Sequence, residues 1–155
     1  PRARAILFRS RPGDLPGEQI GVVDFTQEIV GVRLNGTVNG LTAGLHGFHV
    51  HERGDLSNGC LAAGGHYNPF NRNHGSQNAR IRHHGDLGNI PSVKTGATQV
   101  QMRDSSLSLN GPLSIIGRAL VVHVQPDDLG LGGTEASRTT GDAGARFACG
   151  IIGRK

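Results

Sequence analysis

Apolar and polar residues alternate along this chain in short runs that soon stop. "ARAILF", "QIGVVDFTQ", "VGVRLNGTV", "LHGFHVHE", "GATQVQM", "SSLSLN", "IGRALVVHV" and "RFACGII" are rich in β-branched or alternating positions and bounded by turn residues. A period of two sends one side of each run into a core and the other into water. No stretch sustains the 3.6-residue period of an amphipathic helix, so helix can only be minor. About eight strands in succession predict an all-β sandwich or barrel.

Two stretches break the rhythm. Residues 53–85 and 125–145 are rich in Gly, Asn and Asp and show no clear strand pattern. Loops of that length in a compact domain usually carry function. With 155 residues, 35% of them hydrophobic, the chain suits one domain spanning 1–155, and it holds no internal repeat. No run of about 18 apolar residues is present to span a bilayer. "PRARAILFRS" has charges where a secretion signal needs an apolar block, so the chain as it stands reads as soluble, without a membrane partner. Pro1 in place of an initiating methionine leaves room for a removed upstream segment, and localisation is undetermined on that ground.

The net charge of +4 favours anionic partners, from a small anion to nucleic acid or sulfated polysaccharide, and is equally the mark of a solvated basic surface. Aromatic residues make up only 4% and offer no base-stacking platform, so nucleic acid is not expected. The two cysteines, Cys60 and Cys149, lie far apart with no C-x-x-C pairing, which leaves a single long-range disulfide open.

Histidine is where the chemistry concentrates. "GLHGFHVHERGD", residues 44–55, holds three of the chain's eight histidines. Residues i and i+2 of a strand share a face, so His49 and His51 project together as half a metal site, or as a pair of surface histidines. The first long loop adds His66 and His74 in "GGHYNPFNRNHG", then His83, His84 and Asp86 in "RIRHHGDLGN". His123 in "ALVVHV" stands among apolar residues and by itself reads more readily as a hydrogen-bonded core histidine.

Taken together, "GFHVHE", the H-x7-H-x8-H-x2-D spacing of His66, His74, His83 and Asp86, "GRALVVHV", "DDLGLGG" and "GDAGARFACGIIG" resemble the copper/zinc superoxide dismutase family, in the right order over nearly the whole chain. The resemblance implies an eight-stranded Greek-key β-barrel of immunoglobulin-like sandwich architecture, with the two long loops as the functional ones. It implies a copper ion held by His49, His51, His66 and His123, and a zinc ion held by His66, His74, His83 and Asp86. The donor chemistry agrees: four imidazoles suit copper in both oxidation states, and a closed set of four N/O donors suits structural zinc. The implied reaction is disproportionation of superoxide to dioxygen and hydrogen peroxide by alternate reduction and reoxidation of copper, with His66 as bridge and proton store.

The same resemblance implies that Arg146 positions the anion, that Thr140 forms the other lip of the channel, and that Asp127 links His49 to His74. It implies a Cys60–Cys149 disulfide, structural roles for Leu41, His46 and Gly47, and a homodimer through patches that include Gly54, Ile116, Gly117 and Ile151.

Several positions depart from the family pattern. His84 replaces an apolar residue beside His83 and is expected to point away from zinc. Arg53 and Arg154 replace apolar residues at the dimer patch and are expected to weaken it. Ala136 and Thr139 stand where an acid and a lysine are usual, with Arg138 nearby, so anion guidance is rearranged. The basic balance and the lack of further cysteines favour an extracellular or secretory setting over the cytoplasm. A copper-chaperone-like relative would lose copper histidines or add a thiolate-rich domain, and the sequence does neither.

Overall fold

Eight antiparallel strands make up most of the regular secondary structure in the computed structural model, which describes residues 1–93 and 96–155. They are β1 (Arg2–Arg9), β2 (Gln19–Gln27), β3 (Val32–Val38), β4 (Gly44–His51), β5 (Asp86–Ser92), β6 (Thr98–Asp104), β7 (Ala119–His123) and β8 (Arg146–Arg154). Their order in the sheet is β5-β4-β7-β8-β1-β2-β3-β6. The β3–β4 and β6–β7 connections therefore cross between halves of the barrel, the Greek-key pattern. Among the described residues the end strands β5 and β6 lie side by side without a backbone ladder, joined by Thr98 Oγ1 donating to Ser92 Oγ at 2.8 Å.

Alternation places the core. In β1, Ala3, Ala5 and Leu7 are buried while Arg2, Arg4 and Ile6 face out. Phe25, Leu34, Leu41, Phe48, Leu120 and Ile152 join them in a single apolar interior. Fully burying side chains of this kind stabilises by about 1.5–3 kcal/mol each. Cys60, Ala63, Ala119, Val121 and Cys149 form a smaller cluster beneath the first long loop. A disulfide joins Cys60 to Cys149.

Two expectations are corrected. "SSLSLN" forms no strand, although Leu107 and Leu109 alternate and are buried. Side chains take its backbone donors instead: Asp104 Oδ1 accepts from Ser106 and Leu107 N–H, and Gln27 Oε1 accepts from Leu109 N–H. The eighth strand is β5, "DLGNIPS", whose Gly88 and Pro91 hide it from a propensity reading. An edge position tolerates that proline.

The long loops contain little regular structure, as expected: a 3₁₀ turn at Leu61–Ala63 and one short helix, α1, at Glu135–Thr140. Thr134 caps α1 by accepting from Ser137 N–H at 3.0 Å. An ion pair fastens the first loop to the barrel. Arg82 Nη1 donates to Asp104 Oδ2 at 2.8 Å, while its other nitrogens hold the carbonyls of His83 and His84. Gln77 Nε2 donates to the carbonyl of Arg103 in β6 at 2.7 Å.

Candidate metal centre

Strands β4 and β7 run side by side, with Phe48 opposite Val122 and His51 opposite Ala119. This register brings His49, His51 and His123 to one side of the sheet. An isolated bridge from His51 to His66 adds the loop's first histidine. His49, His51, His66 and His123 each offer one ligand atom within 4.8 Å of the others, and all four are buried. Gly47 makes room for them: a Cβ there would stand 2.7 Å from Ala143 Cβ and 3.2 Å from His49 Cε1. His46 supports the cluster from below, with Nδ1 2.9 Å from the carbonyl of His123 and Nε2 2.8 Å from that of Thr42.

Each ring is fixed through one nitrogen and free at the other. His51 Nδ1 donates to Gly64 O at 2.8 Å, His123 Nδ1 to Gly144 O at 3.1 Å, and His49 Nε2 to Asp127 Oδ2 at 2.7 Å. His49 Nδ1 and His66 Nε2 are buried without a hydrogen-bond partner, and His51 Nε2 faces His123 Nε2 at 3.3 Å. A buried polar atom left unsatisfied costs about 1–3 kcal/mol. These four imidazole nitrogens turned toward one another fit a borderline transition-metal cation, and copper is among those that accept an all-imidazole set.

A second cluster shares His66. Asp86 Oδ1 lies 2.9 Å from His66 Nδ1, 2.9 Å from His74 Nδ1 and 3.3 Å from His83 Nδ1. The Nδ1 atoms of His66 and His83 are 3.1 Å apart. Asp86 Oδ2 is held by the N–H groups of Gly75 and His83. Mutual distance alone would group His49 with His66, His74 and Asp86 in place of His83. Ligand direction decides otherwise, because His49 Nε2 is committed to Asp127 and its Nδ1 belongs to the first cluster. Three imidazoles and a carboxylate fit zinc.

Asp127 joins the two clusters, with Oδ2 on His49 Nε2 and Oδ1 on His74 Nε2, both at 2.7 Å. Asn89, which the sequence did not single out, clamps Asp127 by accepting from its N–H at 2.7 Å and donating to its carbonyl at 3.0 Å. Gly141 closes α1 with φ 73°, and any side chain there would overlap the Asp127 carboxylate.

Electrostatics divide the rings. Burial pushes His49 and His51 well below the usual imidazole range, and neighbouring His66 adds to it. Burial also brings His123 down to about 4 against the opposing hydrogen bond to Gly144, and lowers His66 despite Asp86. His74 goes the other way, up to about 9: burial disfavours its cation, but hydrogen bonds to Asp127 and Asp86 outweigh that. Burial would raise Asp86, yet hydrogen bonds from His66, His74 and His83 hold it well below the carboxylate range.

A cavity of about 640 Å³ leads from solvent to His51, His66 and His123, and Thr139, Thr140, Asp142 and Arg146 line it. Half-buried Arg146 donates through Nη1 to Cys60 O at 2.7 Å. Burial lowers its guanidinium from the ordinary value, though a guanidinium stays cationic in proteins. Arg138 instead pairs with exposed Glu135 and is not among the lining residues. Asp142, a carboxylate at the cavity wall, also escaped the sequence reading. His84 lies off the metal clusters as expected, its ring edge-on to Tyr67 at 5.5 Å.

A nearly closed β-barrel carrying two clusters able to hold metal ions and sharing one histidine, beside a channel lined by an arginine, is the architecture of a dinuclear metalloenzyme for a small anion. A family model described as copper/zinc superoxide dismutase (SODC) matches residues 19–152. An extracellular superoxide dismutase [Cu-Zn] of Caenorhabditis elegans is 54% identical over 152 residues, 98% of this chain and 69% of the relative. One of Haemonchus contortus, of the same name, is 53% identical over 98% of this chain and 83% of its own length. Superoxide dismutase [Cu-Zn] 4 of Dictyostelium discoideum is 58% identical over 86% of this chain and 90% of its own. The chain belongs to the copper/zinc superoxide dismutase family. It is accordingly an enzyme of superoxide disproportionation with copper and zinc as cofactors.

Proposed function

We propose that His49 Nδ1, His51 Nε2, His66 Nε2 and His123 Nε2 hold copper, and that the Nδ1 atoms of His66, His74 and His83 hold zinc together with Asp86 Oδ1. The observation that carries this reading is the division of the copper-set rings, in which the nitrogen not tied to a protein acceptor turns inward. When bound, copper supplies a one-electron couple and zinc a fixed positive charge at His66. With Nδ1 committed, His66 holds and releases a proton at Nε2. Neutral His49, His51 and His123 keep protons from competing for the inner nitrogens near pH 7.

Arg146 draws a monoanion into the channel and positions it on the side of His51 and His123, while Thr140 narrows the opposite lip. Two superoxide anions and two protons become one dioxygen and one hydrogen peroxide. Elemental analysis and superoxide decay on the same metal-loaded sample test the reading. One copper and one zinc with rapid decay are expected; zinc alone after copper loading, or no decay with both metals bound, rejects it.

The single unit spanning 1–155 acts in an extracellular setting, on the support of its disulfide and of the relatives' names. It pairs as a homodimer through a surface holding Ile116 and exposed Ile151, where Gly54 packs against the Gly117 carbonyl. Arg53 and Arg154 are exposed at that surface and weaken the pairing.

A further inference from the structure

The outer side of β1, β2, β3 and β6 carries side chains in one cross-strand row. Arg2 stands opposite Thr26, Thr26 opposite Arg33, and Arg33 opposite Arg103. Three inter-strand steps span about 14 Å. Lys155 extends the row, since its N–H donates to the carbonyl of Arg2. Arg2, Arg33, Arg103 and Lys155 are all exposed.

Like charges directly opposite on neighbouring strands destabilise a sheet. Arg33 and Arg103 accept that penalty, with Glu28 as their shared counter-ion at 3.9 and 3.0 Å. In the adjacent row Arg4 and Lys155 share Asp24. Five cations thus face two carboxylates, a surplus of three on this one side of a chain whose whole surplus is four.

The β2–β3 hairpin tip beside Glu28 adds two exposed aliphatic side chains. Ile29 is 103% exposed and Val30 71%. A polyanionic chain would need the cations and not the aliphatics, and a stacking ligand would need aromatics that these rows lack. Cations flanking exposed aliphatics are the combination that engages anionic lipid, with phosphate groups meeting the arginines and the aliphatics entering the acyl boundary.

We propose that the Ile29–Val30 hairpin tip and the Arg2–Arg33–Arg103 row dock the protein on an anionic lipid surface. The row belongs to β1, β2, β3 and β6, whereas β4, β7 and β8 carry His49, His51, His123 and Arg146, so docking leaves the channel open to solvent.

The test is co-sedimentation of the metal-loaded full chain with phosphatidylcholine vesicles, with and without phosphatidylserine, at physiological salt. Binding is expected only with phosphatidylserine, and Arg33→Gln and Arg103→Gln should each weaken it about fivefold. Ile29→Asn with Val30→Asn should weaken vesicle binding while leaving retention on dextran sulfate unchanged. Vesicle binding that is absent, or indifferent to the aliphatic substitutions, overturns the proposal. So does retention on dextran sulfate or a single-stranded oligonucleotide without vesicle binding. Thermal melting and superoxide decay on each variant confirm that the fold and the metal site are intact.

Discussion

Arg146 donates to the carbonyl of Cys60 at 2.7 Å, and Cys60 is bonded to Cys149, three positions beyond Arg146 in the same strand. The disulfide and the hydrogen bond therefore hold one guanidinium at the channel wall. Electrostatic fields change association rates by about ten- to a thousandfold, and Arg146→Ala is expected near the lower end, with both metals retained. Salt screens over about 8–10 Å, so the parent should slow as ionic strength rises and the variant less steeply. Equal rates and equal salt slopes would remove Arg146 from the anion-positioning role.

Replacing Cys60 and Cys149 together by alanine should lower stability by about 4–5 kcal/mol at most, from the loop that the bridge closes. It should also slow superoxide decay in protein that remains folded and metal-loaded, because the Cys60 carbonyl loses its tether. Denaturant titration at fixed metal content checks the first effect, and an unchanged midpoint would refute it.

Asp127→Asn retains the shape of the carboxylate but leaves only one side-chain oxygen to accept from the two ring N–H groups of His49 and His74. Loss of such a supporting carboxylate typically costs ten- to a hundredfold in metal affinity. Zinc should be the more affected, since the copper set keeps three other imidazoles held by the barrel and loop. Equilibrium dialysis giving an unchanged zinc affinity would exclude the bridging role.

The metal-free protein should lose stability as pH falls from about 6.5 toward 4. His49, His51 and His123 have depressed folded values, so they favour folding while neutral and penalise it once the unfolded chain binds protons they refuse. His74, raised to about 9, works in the opposite sense: its contribution is complete below 6.5 and fades as pH rises through 9. Melting temperature against pH for the metal-free chain reads both limbs. Flat behaviour between 6.5 and 4 would contradict the burial argument.

A homodimer weaker than is usual for the family is expected. Among the described residues, Arg53 pairs only with its neighbour Glu52, and Arg154 lines a groove with Ile6, Leu56 and Ile151. Burying a guanidinium without a partner costs several kcal/mol, although a long stem can carry the charge to the rim. Light scattering should detect monomer at about micromolar concentration, and persistence of the dimer at nanomolar concentration would contradict this.

Seven strands were legible because each alternates and ends at turn residues. β5 was not, because Gly88 and Pro91 erase the β signal and pairing with β4 supplies what propensity lacks. "SSLSLN" misled for the converse reason: Leu107 and Leu109 alternate to fill the core while Asp104 and Gln27 take their N–H groups. Strand alternation was enough to pair His49 with His51, but the full candidate ligand set, His123 included, was legible only through the resemblance to the family; Asn89 gave no signal, since its partner Asp127 becomes a neighbour only after folding.

The loop that carries His74 and His83 also lies against the unladdered side of β6, through Gln77 on the Arg103 carbonyl and Arg82 on Asp104. Exposed strand edges template pairing with other chains. The segment that supplies His74 and His83 is thus also the cover of a strand margin, and the Gln77 and Arg82 contacts keep that margin from serving as a template for a second molecule.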